Sequence, residues 1–168
     1  MPKVAEIVIY DSVEEYQREF NERYVGKDFS LRGVPVTFVE KDFSHAFFEQ
    51  KTQKDGGTRV FSERRAKRMR FIEIMLQELV SIEIAQENDE RGNIAVFCDD
   101  LECVMYLRPR AEVGRLWLGT FIDFGKDHGK MRDKQKRKCS PISDEQLQTL
   151  SGLLVTGQTT PRNADGST

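Results

Sequence analysis

Several short segments either alternate between apolar and polar residues or are apolar throughout, and both patterns predict β-strands. The segments are 4–10, 36–40, 94–98, 102–107 and 115–124. The pair around Asp99-Asp100 is typical of a tight hairpin, because two polar residues separate two apolar runs. The long strand over 115–124 is placed at the centre of the sheet, since both of its faces are apolar.

Apolar residues at helical spacing, each set preceded by a capping residue, predict three helices. The first covers about 12–24; it opens with the capping-box pattern Ser12-Val13-Glu14-Glu15 and is closed by Gly26. A third, short helix over 141–154 is capped by Ser143. The second helix is capped by Ser62, and its apolar face comprises Ala66, Met69, Ile72, Leu76 and Leu79.

The order of these elements predicts an α+β fold, with helices packed on a small antiparallel sheet of about four to five strands. A length of 168 residues suits one domain with its own core, which we assign to residues 1–155. Residues 156–168 are rich in Thr, Gly, Asn and Pro, and we expect them to form a disordered tail.

The composition, 38% apolar and 32% charged, is typical of a soluble globular protein. No apolar run approaches a membrane span and the first residues lack a signal-peptide layout, so we expect a cytoplasmic location and no membrane partner. Cys98 and Cys103 flank the hairpin turn, where a disulfide is conceivable, but two reduced thiols are expected in that compartment. The ligand spacings of a zinc site are absent.

The net charge of −2 conceals two segments of opposite charge. Residues 81–123 hold nine acids and four bases, whereas residues 124–139 hold seven bases and two acids. A basic patch acts locally, so an acidic chain can still bind a polyanion. The basic run 126–138 has no aromatic residue and predicts a sequence-independent phosphate clamp that includes Lys126 and Lys130; the alternative is a solvated loop.

Candidate chemistry concentrates at His45 and at the helix capped by Ser62. Histidine can move protons near neutral pH, although a lone histidine in an aromatic run is often only a packed residue. The first two turns of the helix carry four cations: Arg64, Arg65, Lys67 and Arg68. The helix dipole disfavours cations at this end, and an anionic ligand explains their presence more readily than stability does. The alternative is a solvated basic face.

Thr120 follows Gly119 in the middle of the long strand. Its hydroxyl can donate a hydrogen bond to phosphate, although a strand threonine usually serves only the strand. Several signatures are absent: GxxxxGK[ST], GxGxxG after a strand, HExxH and GxSxG. Asp99 and Asp100 are interpreted as turn residues, with a metal site there left open.

The order of these elements resembles the phage-encoded nuclease-like domains of the barnase–EndoU–colicin–RelE superfamily. The matching residues, within 36–124, are His45-Ala46-Phe47-Phe48, Lys54-Asp55, Phe61, Arg65-Ala66-Lys67-Arg68-Met69 and Thr120. The resemblance implies an RNase-like fold and metal-independent RNA cleavage, in which the 2′-hydroxyl attacks the adjacent phosphorus. It implies that His45 is general acid or base, that Arg65 holds the phosphate and that Thr120 orients it. The strand departs from the family in its Gly-Thr-Phe-Ile sequence, where members often carry a Thr-Ala-Tyr type ending.

The leading hypothesis is a metal-independent endoribonuclease of phage or mobile-element origin, acting as a toxin or host-directed effector. It would cleave RNA by acid–base transesterification without a cofactor, and a neutralising protein would be a natural second partner. The residues expected to hold the RNA backbone are Lys54, Arg64, Arg68, Lys126 and Lys130. The alternative is a non-catalytic phage protein that binds nucleic acid or protein with a vestigial nuclease fold.

Overall fold

The computed structural model describes residues 7–50 and 58–152, which form an α+β fold. The helices are α1 (Val13–Arg23), α2 (Asp42–Phe47), α3 (Glu63–Ala66), α4 (Arg70–Leu76), α5 (His128–Lys136) and α6 (Asp144–Leu150). The strands are β1 (Phe29–Leu31), β2 (Val34–Thr37), β3 (Phe48–Gln50), β4 (Arg59–Phe61), β5 (Glu83–Glu87), β6 (Ile94–Cys98), β7 (Cys103–Arg110), β8 (Arg115–Asp123) and β9 (Cys139–Pro141). Each helix in these two stretches is too short or too polar to cross a membrane.

Seven strands form one sheet in the order β1-β2-β8-β7-β6-β5-β9, in which β2 pairs with β8 in parallel and the other described pairs are antiparallel. The predicted α+β class is confirmed, whereas the prediction of a small sheet of four to five strands is wrong. Strands β3 and β4 form a separate two-stranded sheet. The strands that alternation did not reveal are short or polar: β5 reads Glu-Ile-Ala-Gln-Glu, and β9 is an edge strand containing Pro141.

The predicted hairpin and long strand are confirmed as β6, β7 and β8, with β8 in the interior of the sheet. Cys98 and Cys103 face each other across the hairpin as buried free thiols. The predicted strand over 4–10 is wrong for the part the structure describes, because residues 7–10 form no ladder. Val8 is buried and donates its N–H to the carbonyl of Lys67, at 2.9 Å, instead of pairing with a strand.

The predicted strand over 36–40 is shifted along the chain. Strand β2 begins at Val34, contains Pro35 and ends at Thr37. A turn precedes it at Arg32 and Gly33, where both residues adopt positive φ angles. Residue Phe38 is buried beyond the end of the strand and belongs to the main core.

The first and third predicted helices are confirmed as α1 and α6. The hydroxyl of Ser12 accepts from the N–H of Glu15 at the start of α1, and Ser143 and Gln146 form a complete capping box on α6. The second predicted helix is instead two short helices, α3 and α4, separated by a turn over 67–69. Its predicted apolar face is buried except at Leu79, which is 58% exposed.

Helices cover parts of both faces of the sheet. The main core lies between one face and the aromatic residues of α1 and α2, including Phe20, Phe43 and Phe47. A smaller cluster on the opposite face packs under α5, around Phe97, Tyr106 and Phe124. The basic run after β8 is therefore mostly a helix docked on the sheet, and the solvated-loop alternative is wrong over 128–136.

Two elements, one strand and one helix, contact β8 beside its pairing with β7. Strand β2 pairs with β8 at Leu116 and Trp117, and α2 packs against β8 as well. The pairing of β7 with β8 shifts between Tyr106 and Leu107, and Gly119 is the extra residue on β8 at this bulge. A Cβ on Gly119 would lie 3.1 Å from the carbonyl oxygen of Tyr106, so the close approach of the strands there favours glycine.

Candidate functional site

Five cationic side chains line two adjoining depressions beside the end of β8, and we call this surface the basic groove. The depressions have volumes of about 300 and 440 Å³ and share Arg64, Gly125 and Lys126 in their linings. The cations of the basic groove are Arg64, Arg68, Lys126, Lys130 and Lys134. Four of them are residues that the sequence predicted to bind substrate; the fifth, Lys134, comes from the predicted phosphate clamp.

Local structure accounts for the position of the groove. The hydroxyl of Ser62 accepts from the N–H of Arg65, which fixes the start of α3 and points Arg64 toward the end of β8. Gly125 turns the chain from β8 toward α5 with a φ of 68°. A Cβ at Gly125 would lie 3.3 Å from Nη1 of Arg64, so the guanidinium packs directly over this turn.

Helix α5 carries its charges on two faces, and among the described residues one of these faces is paired with acids and the other is not. His128, Arg132 and Lys136 follow each other at intervals of four residues and contact acids of the neighbouring hairpins. The pairs are His128 Nδ1 with Glu102 at 3.1 Å, Arg132 with Asp99 at 3.8 Å and Lys136 with Glu83 at 2.8 Å.

The other face of α5 is directed at the basic groove. Lys130 and Lys134, together with Lys126 ahead of the helix, repeat at the same interval of four residues. Within the described stretches, no acidic oxygen lies within 4 Å of these three ammonium groups. Among the described residues, this face therefore presents three ammonium groups that form no ion pair, although Glu102, Asp123 and Asp127 also line the two depressions.

Arg64 lines the basic groove and also forms an ion pair with a buried residue. Its Nε lies 2.9 Å from Oδ2 of Asp123, whose side chain is 4% exposed while that of Arg64 is 57% exposed. The second oxygen of Asp123 is buried without a hydrogen-bond partner among the described residues. Arg64 therefore compensates a buried carboxylate and still presents part of its guanidinium to solvent.

His45 lines a different cavity, of about 90 Å³, between α2 and strands β7 and β8. The histidine is exposed at the surface of α2. The residues around it are Lys41, Asp42, Arg108, Arg110, Trp117, Leu118 and Gly119. The cavity therefore joins one histidine, three permanent cations and one carboxylate.

Asp42 is the acidic member of this cavity and is 3% exposed. Its Oδ2 accepts a hydrogen bond from the N–H of Val39 at 2.8 Å. Burial raises the pKa of Asp42, against the opposing influence of that hydrogen bond and of the charges on His45 and Lys41. Asp42 therefore places a buried carboxyl in the cavity lining, three positions before the exposed His45.

Arg65 and Thr120 do not line the His45 cavity, although α2, α3 and β8 pack against one another. Arg65 pairs with Glu49 at 3.3 Å, its side chain is 15% exposed, and its Nε has no acceptor among the described residues. Burial lowers the pKa of Arg65. Thr120 is half-buried on β8 opposite Tyr106, and Lys54 lies outside the described residues.

The cavity contains functional candidates that the sequence analysis missed. Arg108 and Arg110 both belong to β7 and point to the same face because they are two positions apart. Arg110 lies 5.0 Å from the ring centroid of Trp117, a cation–π contact across the two strands. In the sequence, the two arginines alternate with Pro109, which is a strand pattern. A proline inside such a run argues against a strand, and the pattern was therefore not interpreted as one.

Comparison of the chain with protein-family models, curated proteins and solved structures finds no match in any of the three. Among residues 7–50 and 58–152, no three His, Cys, Asp or Glu side chains are grouped so that they could hold a metal ion. The function is therefore argued from the two sites described above, the basic groove and the His45 cavity.

Proposed function

We propose that this chain binds the phosphate backbone of RNA along the basic groove. The observation that carries the proposal is the row of lysines at 126, 130 and 134, which has no acidic partner in the described residues, whereas the opposite face of α5 is paired. Arg64 and Arg68 extend this row across α3 and the turn that follows it. Fixed cations at regular intervals match a chain of phosphates better than they match a single small anion.

The groove supports binding without base recognition. Phe124, which lies in its floor, is 4% exposed and offers no face on which a base could stack. Lysines contact phosphate as point charges and carry no sequence information. RNA rather than DNA is proposed because of the resemblance to nuclease-like domains, and a matched DNA strand is the comparison that tests this choice.

The test compares two double variants that remove the same number of charges from the same helix. Lys130→Gln with Lys134→Gln changes the face directed at the groove, and Arg132→Gln with Lys136→Gln changes the paired face. Binding of a single-stranded RNA is measured by fluorescence anisotropy over a series of salt concentrations. Thermal unfolding of each variant checks that α5 remains docked.

The groove variant should bind more weakly and with a lower salt dependence. Each neutralised phosphate contributes about 0.7 to the slope of log K against log salt for single strands, so two lost contacts reduce it by about 1.4. The paired-face variant should keep the wild-type slope. Equal losses in the two variants would show that net charge, and not the groove, attracts the RNA, and the proposal would then be abandoned.

A second candidate function is metal-independent RNA cleavage at His45, as in a phage-derived toxin or host-directed effector. The supporting observation is that His45 is exposed and shares its cavity with Lys41, Arg108 and Arg110. In this reaction the 2′-oxygen forms a bond to phosphorus and the bond to the 5′-oxygen breaks, giving a 2′,3′-cyclic phosphate and a 5′-hydroxyl. One group removes the 2′ proton and another protonates the leaving 5′-oxygen. His45 and Asp42 are the two groups in the cavity able to do so.

Incubation of RNA with the protein in EDTA tests this second candidate. Wild type should yield cyclic-phosphate ends, and His45→Ala should lose the activity while keeping RNA binding by the basic groove. Arg65→Gln is the informative comparison, because the resemblance assigns phosphate binding to Arg65 and the cavity lining suggests Arg108 instead. An absence of cleavage by wild type, with binding intact, would favour the non-catalytic alternative with a vestigial nuclease fold.

A further inference from the structure

We propose that the His45 cavity binds a terminal phosphate of RNA, a phosphate monoester at the 5′ or 3′ end. The inference rests on the proposed RNA binding and adds a second site, apart from the basic groove, that reads chain ends. Its elements are Lys41 and His45 from the α2 side, Arg108 and Arg110 from β7, and Trp117 from β8.

The charges of the cavity favour a dianion. Arg110 has one ion pair, to the exposed Glu112 at 3.5 Å. Lys41 and Arg108 have no acidic oxygen within 4 Å among the residues the structure describes. Asp42 is the opposing carboxylate in the lining. A monoester phosphate carries about −1.5 to −2 charges near neutral pH, more than the single charge of an internal phosphodiester.

Two residues of the cavity lining each carry a buried hydrogen-bond donor that has no acceptor among the described residues. Nε of Arg110 and Nε1 of Trp117 are both inaccessible and unpaired within the described part of the chain. The cation–π contact holds the two side chains together, so both donors belong to one wall. Neither atom is accessible from the cavity, so a phosphate bound there contacts the exposed side chains of Lys41, His45 and Arg108 instead.

The size of the cavity favours the end of a chain, whereas an internal phosphate meets the exposed His45 at the surface without entering. Its volume of about 90 Å³ is far below the roughly 300–1,000 Å³ of pockets that enclose a drug-sized ligand, so it has room for a phosphate group and not for a nucleoside. A terminal phosphate has one ester link and can enter such a cavity with its three free oxygens first. An internal phosphate has a nucleoside on each side and only two free oxygens.

The test uses three RNA oligonucleotides of one sequence, labelled internally, with a 5′-phosphate, a 3′-phosphate or hydroxyl groups at both ends. Dissociation constants are measured at fixed salt for wild type, Arg108→Gln and Lys41→Gln. One phosphorylated end should bind wild type about tenfold more tightly than the hydroxyl control, and each variant should lose most of that gain. The groove variant at 130 and 134 should weaken all three oligonucleotides by one common factor and preserve the ratio.

Equal affinity of wild type for the three oligonucleotides overturns the inference while leaving the proposed function intact. A gain that persists in both variants overturns it as well, because the phosphate is then bound elsewhere. The chain contains one tryptophan, so the indole N–H of Trp117 gives a single resonance that reports on the cavity without RNA. Inorganic phosphate should shift that resonance in wild type and not in Arg108→Gln. If no RNA binds, the proposed function fails, and this measurement alone decides the inference: no shift overturns it.

Discussion

Replacing Arg64 should destabilise the protein more than replacing any other cation of the basic groove. Arg64 is the member of the groove that pairs with a buried carboxylate, at 2.9 Å from Asp123. In Arg64→Gln that carboxylate keeps its burial and loses its counter-charge. Arg68→Gln is the matched control, because it removes the same charge a few residues away, and in the described stretches Arg68 has no acidic partner.

The exposure of Arg64 and Asp123 determines how much the substitution lowers the free energy of unfolding. Breaking a fully buried ion pair costs about 3–5 kcal/mol, whereas an exposed pair contributes about 0–1 kcal/mol. Asp123 is 4% exposed but Arg64 is 57% exposed, so water screens one side of the contact. We therefore expect Arg64→Gln to lower the free energy of unfolding by about 1–3 kcal/mol, and Arg68→Gln by less than about 0.5 kcal/mol.

Urea unfolding at pH 7 measures both free energies, with the m-value as a check that unfolding stays two-state. Asp123→Asn in the Arg64→Gln background should recover most of the loss, since it removes the uncompensated charge. The reasoning is refuted if Arg64→Gln and Arg68→Gln are equally stable. Arg64→Gln is also a poor test of RNA binding, because it changes both the charge of the groove and the stability of the protein. The substitutions at 130 and 134 avoid this ambiguity.

Two further substitutions test the fold around the sites. Tyr24→Phe removes a buried hydroxyl that donates to the carbonyl of Met69 and accepts from the N–H of Glu73, and should cost about 1–3 kcal/mol in urea unfolding. Burial raises the pKa of Tyr24, so the stability that this hydroxyl contributes is present below about pH 10 and lost as the pH rises further; Tyr24→Phe should show a smaller alkaline loss. Gly152→Ala places a Cβ against the carbonyl of Ala111 at a φ of 81° and should cost about 2–4 kcal/mol.

Each of these two substitutions has a control in the same chain. Tyr10→Phe removes a hydroxyl that donates to Glu19 on a partly exposed surface, where Arg70 also donates to the same carboxylate. Gly26→Ala has a similar φ of 74° but nothing within 4 Å of the added Cβ. The explanations are contradicted if Tyr24→Phe is no more destabilising than Tyr10→Phe, or if Gly152→Ala costs no more than Gly26→Ala.

Elements with local signals were predictable from the sequence. Helices α1 and α6 have capping residues and polar first turns, and β6 and β7 are apolar runs on either side of the four-residue turn 99–102. The predicted single helix over 62–79 failed at its middle for a tertiary reason. The hydroxyl of Tyr24 bonds to Met69 and Glu73 and so satisfies backbone groups at the break between α3 and α4. Apolar spacing continues through this turn, and it gave no sign of the interruption.

Elements whose stability comes from distant partners were not predictable. Helix α5 presents few apolar side chains; Met131 packs against the smaller core, and the hydroxyl of Tyr106 donates to the buried Gln135 at 2.7 Å. Its nine residues therefore have no apolar stripe from which a helix could be inferred. The His45 cavity depends in the same way on Arg108 and Arg110, which are more than sixty positions away and are brought to α2 by the pairing of β7 with β8.

The opposite charges of segments 81–123 and 124–139 can now be divided between internal and external roles. Glu83, Asp99 and Glu102 come from the acidic segment and contact Lys136, Arg132 and His128 of the basic one, so part of the segregated charge is used within the fold. Counting the basic run as a whole therefore overstates the charge offered to a ligand. Five bases of the segment remain outside these contacts, and three of them, at 126, 130 and 134, form a row at the spacing of one helix turn beside Arg64 and Arg68. The pattern of pairing, more than the number of cations, supports the proposal that the basic groove binds a polyanion.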